Sequence, residues 1–287
     1  MNFIIGCGYV GLQVAEKLLK QNQSVAALTH SEQNQARLQM AQVQTYVADL
    51  DQVETLGNLP SQVDTLFYFA PPSAQGICDT RISHFLSQFT AKPKKAILIS
   101  TTGVYGDCQG AWIDETRGLN PQTDRAKRRA DAEQQWQQWA EQQQIDWVIL
   151  RVAGIYGAQR LPIARLKHGL SVLDEAIAPY SNRVHVDDLV NACIAASQAG
   201  QGIFNITDGN PTTMTDYFNQ VAIAMNLPLP STLSREQAEQ QLSPEMNSYL
   251  AESKRIDNQK MQQVLQVIPK YSTLQQGLAA IMNFSLL

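Results

Sequence analysis

Little in this sequence points to covalent cross-links, a metal centre or a surface for polyanions. Only four cysteines occur in 287 residues, Cys7, Cys78, Cys108 and Cys193, and no two form a Cys-x-x-Cys pair or stand near a histidine at ligand spacing. A disulfide framework and a zinc site are therefore not indicated, and reduced thiols are the simplest state. Basic excess is missing too: 22 Lys and Arg against 26 Asp and Glu leave a formal charge of −4, with the cations scattered among acids. No positive field exists to capture nucleic acid. No apolar run approaches the ~20 residues of a membrane helix. The opening MNFIIGCG reaches glycine too soon, and without a basic leader, for a secretion signal. The expectation is a cytoplasmic protein with neither nucleic acid nor membrane as partner.

What the chain does have is apolar content, 44% of residues, enough for a full core in one α/β unit or two lobes sharing a cleft. Short β-branched or aromatic runs alternate with helical patterns through the first half, the signature of a doubly wound parallel sheet. Strands are expected at 3–5, 24–28, 45–47, 65–69, 96–100 and 147–152. Val10, Val14, Leu18 and Leu19 line one face of a helix over 10–20. The fold class expected is α/β, Rossmann-like, with a dinucleotide-binding domain over 1–157. A smaller substrate lobe over 158–287 would be interleaved with late elements of that domain. The glutamine-rich 132–144 reads as an exposed helix with Trp136 and Trp139 on one face. Segment 230–246, rich in Ser, Glu, Gln and Pro, reads as a flexible lid or loop.

Gly6, Gly8 and Gly11 form GCGYVG between the first strand and the first helix. Each glycine has a mechanical purpose: a tight turn, room for a pyrophosphate against the backbone, and close packing of helix on strand. The helix start at Tyr9 and Val10 then offers free N–H groups to phosphate. The acid that holds an adenosine ribose belongs ~20 residues on, at the end of the second strand. That place reads Leu28, Thr29, His30, Ser31, with no carboxylate before Glu32. Thr29, His30 and Ser31 suit a 2′-phosphate, with Arg37 further along, so NADP is preferred over NAD; Ser31 also suits a helix cap. Asp49 is placed either to approach an adenine ring or to cap a helix. Phe69, Ala70 and Pro71 end the fourth strand where a backbone passes close to a cofactor.

Beyond the glycine loop, LISTTGVYG at 98–106, LRVAGIYG at 150–157, RVHVDDL at 183–189, FNITDG at 204–209 and SKRIDN at 253–258 follow in order. The series resembles the extended short-chain dehydrogenases/reductases, the NAD(P)-dependent nucleoside-diphosphate-sugar epimerases and dehydratases, and within that superfamily an atypical branch. In that family a Ser or Thr before the VYG element hydrogen-bonds the reacting oxygen, a tyrosine exchanges the proton, and a lysine four residues later binds the nicotinamide ribose. The resemblance puts Thr101 in the first role and Tyr105 near it, with Thr102 toward substrate. Aligning Pro121 and Glu133 with the family's proline and glutamate places Arg125 and Arg129 where the tyrosine and lysine belong. A rival register makes Thr123 and Lys127 the pair.

Arg125 and Arg129 are one helical turn apart and share a face. A guanidinium stays protonated at physiological pH, so neither can shuttle a proton. Arg129 is suited to hold the ribose, and Arg125 to grip a phosphate or carboxylate; the bland alternative is a solvated face with Lys127 and Arg128. Tyr105, Tyr156, Asp124, Glu115 and His185 are the remaining groups near the cleft that can move a proton. Arg160, Arg165, Lys254 and Arg255 offer cations for a diphosphate. Two expectations stand: an oxidoreductase acting on a small molecule of the nucleotide-sugar kind through a non-standard proton donor, or a non-catalytic NAD(P)-binding sensor. No metal is expected.

Overall fold

In the computed structural model, which describes residues 1–284, the alternating pattern becomes a single parallel sheet. Its strands are β1 (Asn2–Ile5), β2 (Val25–Thr29), β3 (Gln44–Val47), β4 (Thr65–Tyr68), β5 (Lys95–Thr101), β6 (Asp146–Val152) and β7 (Gly202–Ile206). They lie in the order β7-β6-β5-β4-β1-β2-β3, every neighbouring pair parallel. The chain changes direction of travel between β1 and β4. Loops leaving the carboxyl ends of those two strands diverge and open a crevice, the usual ligand position in such sheets.

The helices that matter here are α1 (Tyr9–Lys20), α2 (Glu32–Met40), α3 (Thr80–Gln88), α4 (Asp124–Gln143), α5 (Val186–Gln198), α6 (Met214–Ala224), α7 (Arg235–Gln241) and α8 (Pro244–Leu250). Because side chains alternate along a strand, Ile4 and Phe67 face α1 and α5, joining Val14, Leu18 and Leu189. Phe3, Leu66 and Tyr68 face α3 and α4, joining Phe85 and Trp136. The glutamine-rich stretch is helical, but Trp136 is fully buried with Ala132 and Ala140. Spacing of four puts these three on one stripe, which turns the glutamines outward.

Late chain serves two places, β7 in the main sheet and a separate apolar cluster around Tyr156, Phe218, Val221 and Leu278. The segment 230–246, expected to be a loop, is instead structured. Ser231–Leu233 pairs with Ser171–Leu173, and Ser234 and Gln237 form a reciprocal capping box that starts α7. Leu233, Ala238 and Leu250 then bury against Leu173, a hydrophobic anchor that polar composition concealed. Among the described residues no helix is long and apolar enough to cross a membrane, and no cluster of His, Cys, Asp or Glu is arranged to hold a metal.

Candidate functional site

The turn between β1 and α1 is built to let something lie against it. Gly6 has φ +84°, and a side-chain carbon there would stand 2.4 Å from the Ala70 nitrogen, so the turn must press directly on the end of β4. A carbon added at Gly11 would come within 2.9 Å of the Gly6 carbonyl oxygen, which fixes how closely α1 approaches. Gly8 differs: a carbon added there meets no atom within 4 Å. It precedes α1 and supplies no side-chain cap, so the N–H groups of Tyr9, Val10 and Gly11 head the helix above open space. A pyrophosphate fits such a cradle by hydrogen bonding and by the helix dipole.

At the end of β2, Thr29 is buried and its hydroxyl accepts from the Asn34 side chain at 3.0 Å. The Ser31 hydroxyl accepts from the Asn34 N–H at 3.2 Å and caps α2. Both hydroxyls are thus engaged locally, while His30 is exposed. Arg37 reaches back and donates to the Cys7 carbonyl at 3.1 Å, which brings a cation to the rim of the glycine turn. Asp49 follows β3 and accepts from the Asp51 N–H at 2.9 Å, closing a turn.

From Gly6 a continuous path runs along the carboxyl ends of β4 and β5. The Phe69 N–H donates to Ile5 at 2.7 Å, Ala70 abuts Gly6, and Pro71 forms one wall of a cavity of about 500 Å³. Thr101, Thr102, Arg125 and Arg129 line the same cavity. Of the residues expected to hold the cofactor, Pro71 and Arg129 thus share this cavity with Thr101, Thr102 and Arg125, while the glycine turn lies beside it through Ala70. The Thr101 hydroxyl accepts from the Gly103 N–H at 3.3 Å, which ties it to the short turn after β5. Arg129 donates through Nη1 to the carbonyls of Ala70 (3.4 Å) and Ile99 (3.3 Å). Burial pulls its pKa below the ordinary guanidinium value, with Asp79 opposing the shift. Arg125 donates to the Ser248 hydroxyl at 2.9 Å and lies 3.8 Å from the centre of the Tyr249 ring.

Arg125 and Arg129 line the cavity from α4, as does Thr123 at the start of that helix. Glu133 and Arg151 form a buried ion pair at 2.7 Å, fixing the glutamate inward and carrying Arg125 and Arg129 to the cleft with it. Thr123 caps α4 through the Ala126 N–H, and Lys127 is solvated beside Asp124 at 3.6 Å. Asp124 is therefore the first residue of the helix, and the cap is its predecessor.

Tyr105 does not reach the cleft. Its buried hydroxyl donates to Asn205 at 2.8 Å and accepts from Arg151 at 2.9 Å, and burial raises its pKa. It is a core strut joining β5, β6 and β7. Tyr156 is wholly buried, with burial again raising its pKa. Glu115 accepts from the Asn205 N–H at 2.7 Å, and His185 caps α5 by accepting from Asp187 at 3.2 Å. None of these four lines the cavity.

Among the expected substrate cations, Arg160 and Arg165 line a second chamber of about 580 Å³, which shares Gly154, Arg183, Met214 and Tyr249 with the first. Arg160 stacks over Tyr9 at 4.8 Å and Arg165 over Phe218 at 5.6 Å. Lys254 lines the first chamber, but its ammonium is held by Glu252 and the Gly106 carbonyl, each at 2.6 Å. Arg255 lies elsewhere, donating to Gly110 at 2.7 Å between the rings of Trp112 and Tyr180; it is a staple rather than a ligand group.

Sequence reasoning passed over Arg183, although its motif was in view. It lies across Gly154, where an added carbon would be 2.7 Å from Nη1, and stacks on Tyr217 at 4.2 Å. Burial lowers its pKa, with Tyr217 and Asp208 opposing. The guanidinium is half-buried and donates to the Asn182 carbonyl at 3.0 Å, and an anionic ligand at the junction of the chambers would add a counter-charge beside it. Tyr249 carried no signal either, being far from the other site residues in sequence.

A family model described as the NAD dependent epimerase/dehydratase family matches residues 3–207. No curated protein sequence matches the chain. Among solved structures, a functionally unknown conserved protein from Silicibacter pomeroyi is 26% identical, with TM-score 0.82 over 99% of this chain and 98% of that one. UDP-glucose 4-epimerase from Thermotoga maritima, solved with UDP-glucose, is 20% identical, with TM-score 0.79 over the full length of both chains, 100% of each. UDP-glucuronic acid 4-epimerase from Bacillus cereus, solved with UDP-glucuronic acid and NAD, is 18% identical, with TM-score 0.79 over 99% and 98%.

Proposed function

This chain belongs to the NAD-dependent epimerase/dehydratase family, and from that premise we propose that it is an NADP-preferring oxidoreductase of a nucleotide-sugar or similarly anionic small molecule. The observation that carries the proposal is the open cradle at Gly8, joined through Ala70 and Pro71 to a cavity holding Thr101 and Arg129. When bound, the nicotinamide cofactor supplies or takes up a hydride at the substrate carbon. The chain's own residues do the rest. N–H groups at the start of α1 hold the pyrophosphate. Thr101 donates to the reacting oxygen, and Arg129 occupies the ribose-binding place while adding positive charge beside it. Arg183, backed by Arg160 and Arg165, receives the substrate's phosphates as a planar fork suited to them.

NADP preference rests on the missing carboxylate after β2 and on Arg37 at the rim of the turn. Arg37→Ala is expected to weaken NADPH binding roughly 10-fold, the size of a charge-assisted hydrogen bond of about 1.5 kcal/mol, and to leave NADH unchanged. Fluorescence titration with both cofactors measures it. Equal losses for the two would place the 2′-phosphate elsewhere.

The arginines at 125 and 129 favour a second reading, a dinucleotide-binding sensor without turnover. Incubation with NADPH or NADP and a panel of UDP-sugars, followed at 340 nm and by product chromatography, tests the assignment. Conversion of any member supports the enzyme; tight binding without conversion across the panel supports the sensor.

A further inference from the structure

The tyrosine position of the family holds Arg125, so the proton at the reacting oxygen needs another source. Among the cleft's charged groups, Arg125, Arg128, Arg129 and Arg183 remain protonated, and Lys254 and Glu252 are paired with each other. Tyr180 and Tyr249 remain as phenols on the cavity wall. The first stacks on Arg255, outside the cavity. The second stacks on Arg125 itself, 3.8 Å from its Cζ. A guanidinium carbon and a tyrosine hydroxyl stand at similar reach from their own Cα atoms. The Tyr249 ring is thus delivered beside the point where a tyrosine at 125 would carry its oxygen.

Resting on the enzymatic reading above, we propose that Tyr249, brought in from α8 and clamped by Arg125, is the proton donor and acceptor of this site. In the reducing direction the C=O π bond of the substrate breaks as its carbon gains hydride. The Tyr249 O–H breaks, a new O–H forms on the substrate oxygen, and the phenolate left behind lies against the Arg125 guanidinium. Tyr249 is 45% exposed, and its hydroxyl has no hydrogen-bond partner among the described residues, so water can return the proton. In the oxidising direction each of these bonds is made and broken in reverse. Arg125 then has a positive reason to replace the family's tyrosine: it holds a phenol that arrives from another element. The Ser248 hydroxyl, 2.9 Å from Nη1, fixes the same helix turn from the adjacent residue.

The test compares wild type, Tyr249→Phe and Tyr180→Phe by calorimetric titration with NADPH and a UDP-sugar, and by turnover on that sugar. Phenylalanine keeps the ring on Arg125, so Tyr249→Phe is expected to bind both ligands as wild type does. Its kcat is expected to fall by about 10²–10⁴, the contribution of general acid–base catalysis. Wild-type turnover by Tyr249→Phe overturns the assignment while the enzymatic reading survives. So does a loss confined to Tyr180→Phe. A wild type that binds NADPH and converts no sugar overturns the enzymatic reading and this role with it.

Discussion

Glu133→Ala is expected to cost the fold about 3–5 kcal/mol, the penalty for stranding one partner of a buried ion pair. Glu133 and Arg151 are only 4% and 3% exposed, and Arg151 donates three hydrogen bonds to the carboxylate through Nε and Nη2, at 2.7–3.2 Å. Its Nη1 donates to Tyr105, which in turn donates to Asn205. One carboxylate therefore neutralises a chain of groups linking α4 to β5, β6 and β7, and its loss leaves a charge in a site that water cannot reach. Denaturant midpoints measure the effect. Replacing both partners with Glu133→Leu and Arg151→Met should recover much of it, because no charge is then left unpaired. An unchanged midpoint for Glu133→Ala would mean that the network contributes nothing to stability.

The second large effect is expected at Gly6. Gly6→Ala places a carbon 2.4 Å from the Ala70 nitrogen at a residue with φ +84°. The left-handed backbone costs about 1–2 kcal/mol for a residue with a side chain, and the overlap with neighbouring backbone a further ~1–3 kcal/mol. Either the turn moves away from β4 or the sheet opens there. The variant should lose several degrees of melting temperature and its NADPH affinity together, read by thermal unfolding with and without cofactor. A normal melting curve with normal binding would show that the contact between Gly6 and Ala70 is not needed.

The fold was largely legible because its signals are local. The six expected strand runs reappear as β1 to β6 within a residue, and the glycine spacing marked a turn that must press on a neighbouring strand. Glu133 marks a face of α4 that turns inward to Arg151, and Arg129 and Arg125, four and eight residues earlier, line the cavity. What failed to show depends on sheet order and on distant contacts. Tyr105 stood beside a reactive motif in the sequence, yet Arg151 pairs with both Ser100 and Asn205 across the sheet, and that juxtaposition draws the phenol into the core. Arg255 was read as a free cation because Trp112 and Tyr180, which sandwich it, lie far away in the chain. Tyr249 lies just beyond the segment 230–246 whose polar composition suggested a loop, whereas a capping box and buried Leu233 and Leu250 anchor that region.

The claim on which the rest depends is that a dinucleotide lies over Gly8. Calorimetric titration of NADPH into wild type and Gly8→Ala tests it most directly, because an added methyl at this position touches no protein atom and occupies the space assigned to the pyrophosphate. The account predicts a wild type that binds NADPH. It also predicts a variant that folds normally and binds on the order of 10- to 100-fold more weakly, the loss of one charge-assisted hydrogen bond or more. A wild type that gives no heat with any pyridine nucleotide, or a variant that binds as tightly as wild type, would contradict it.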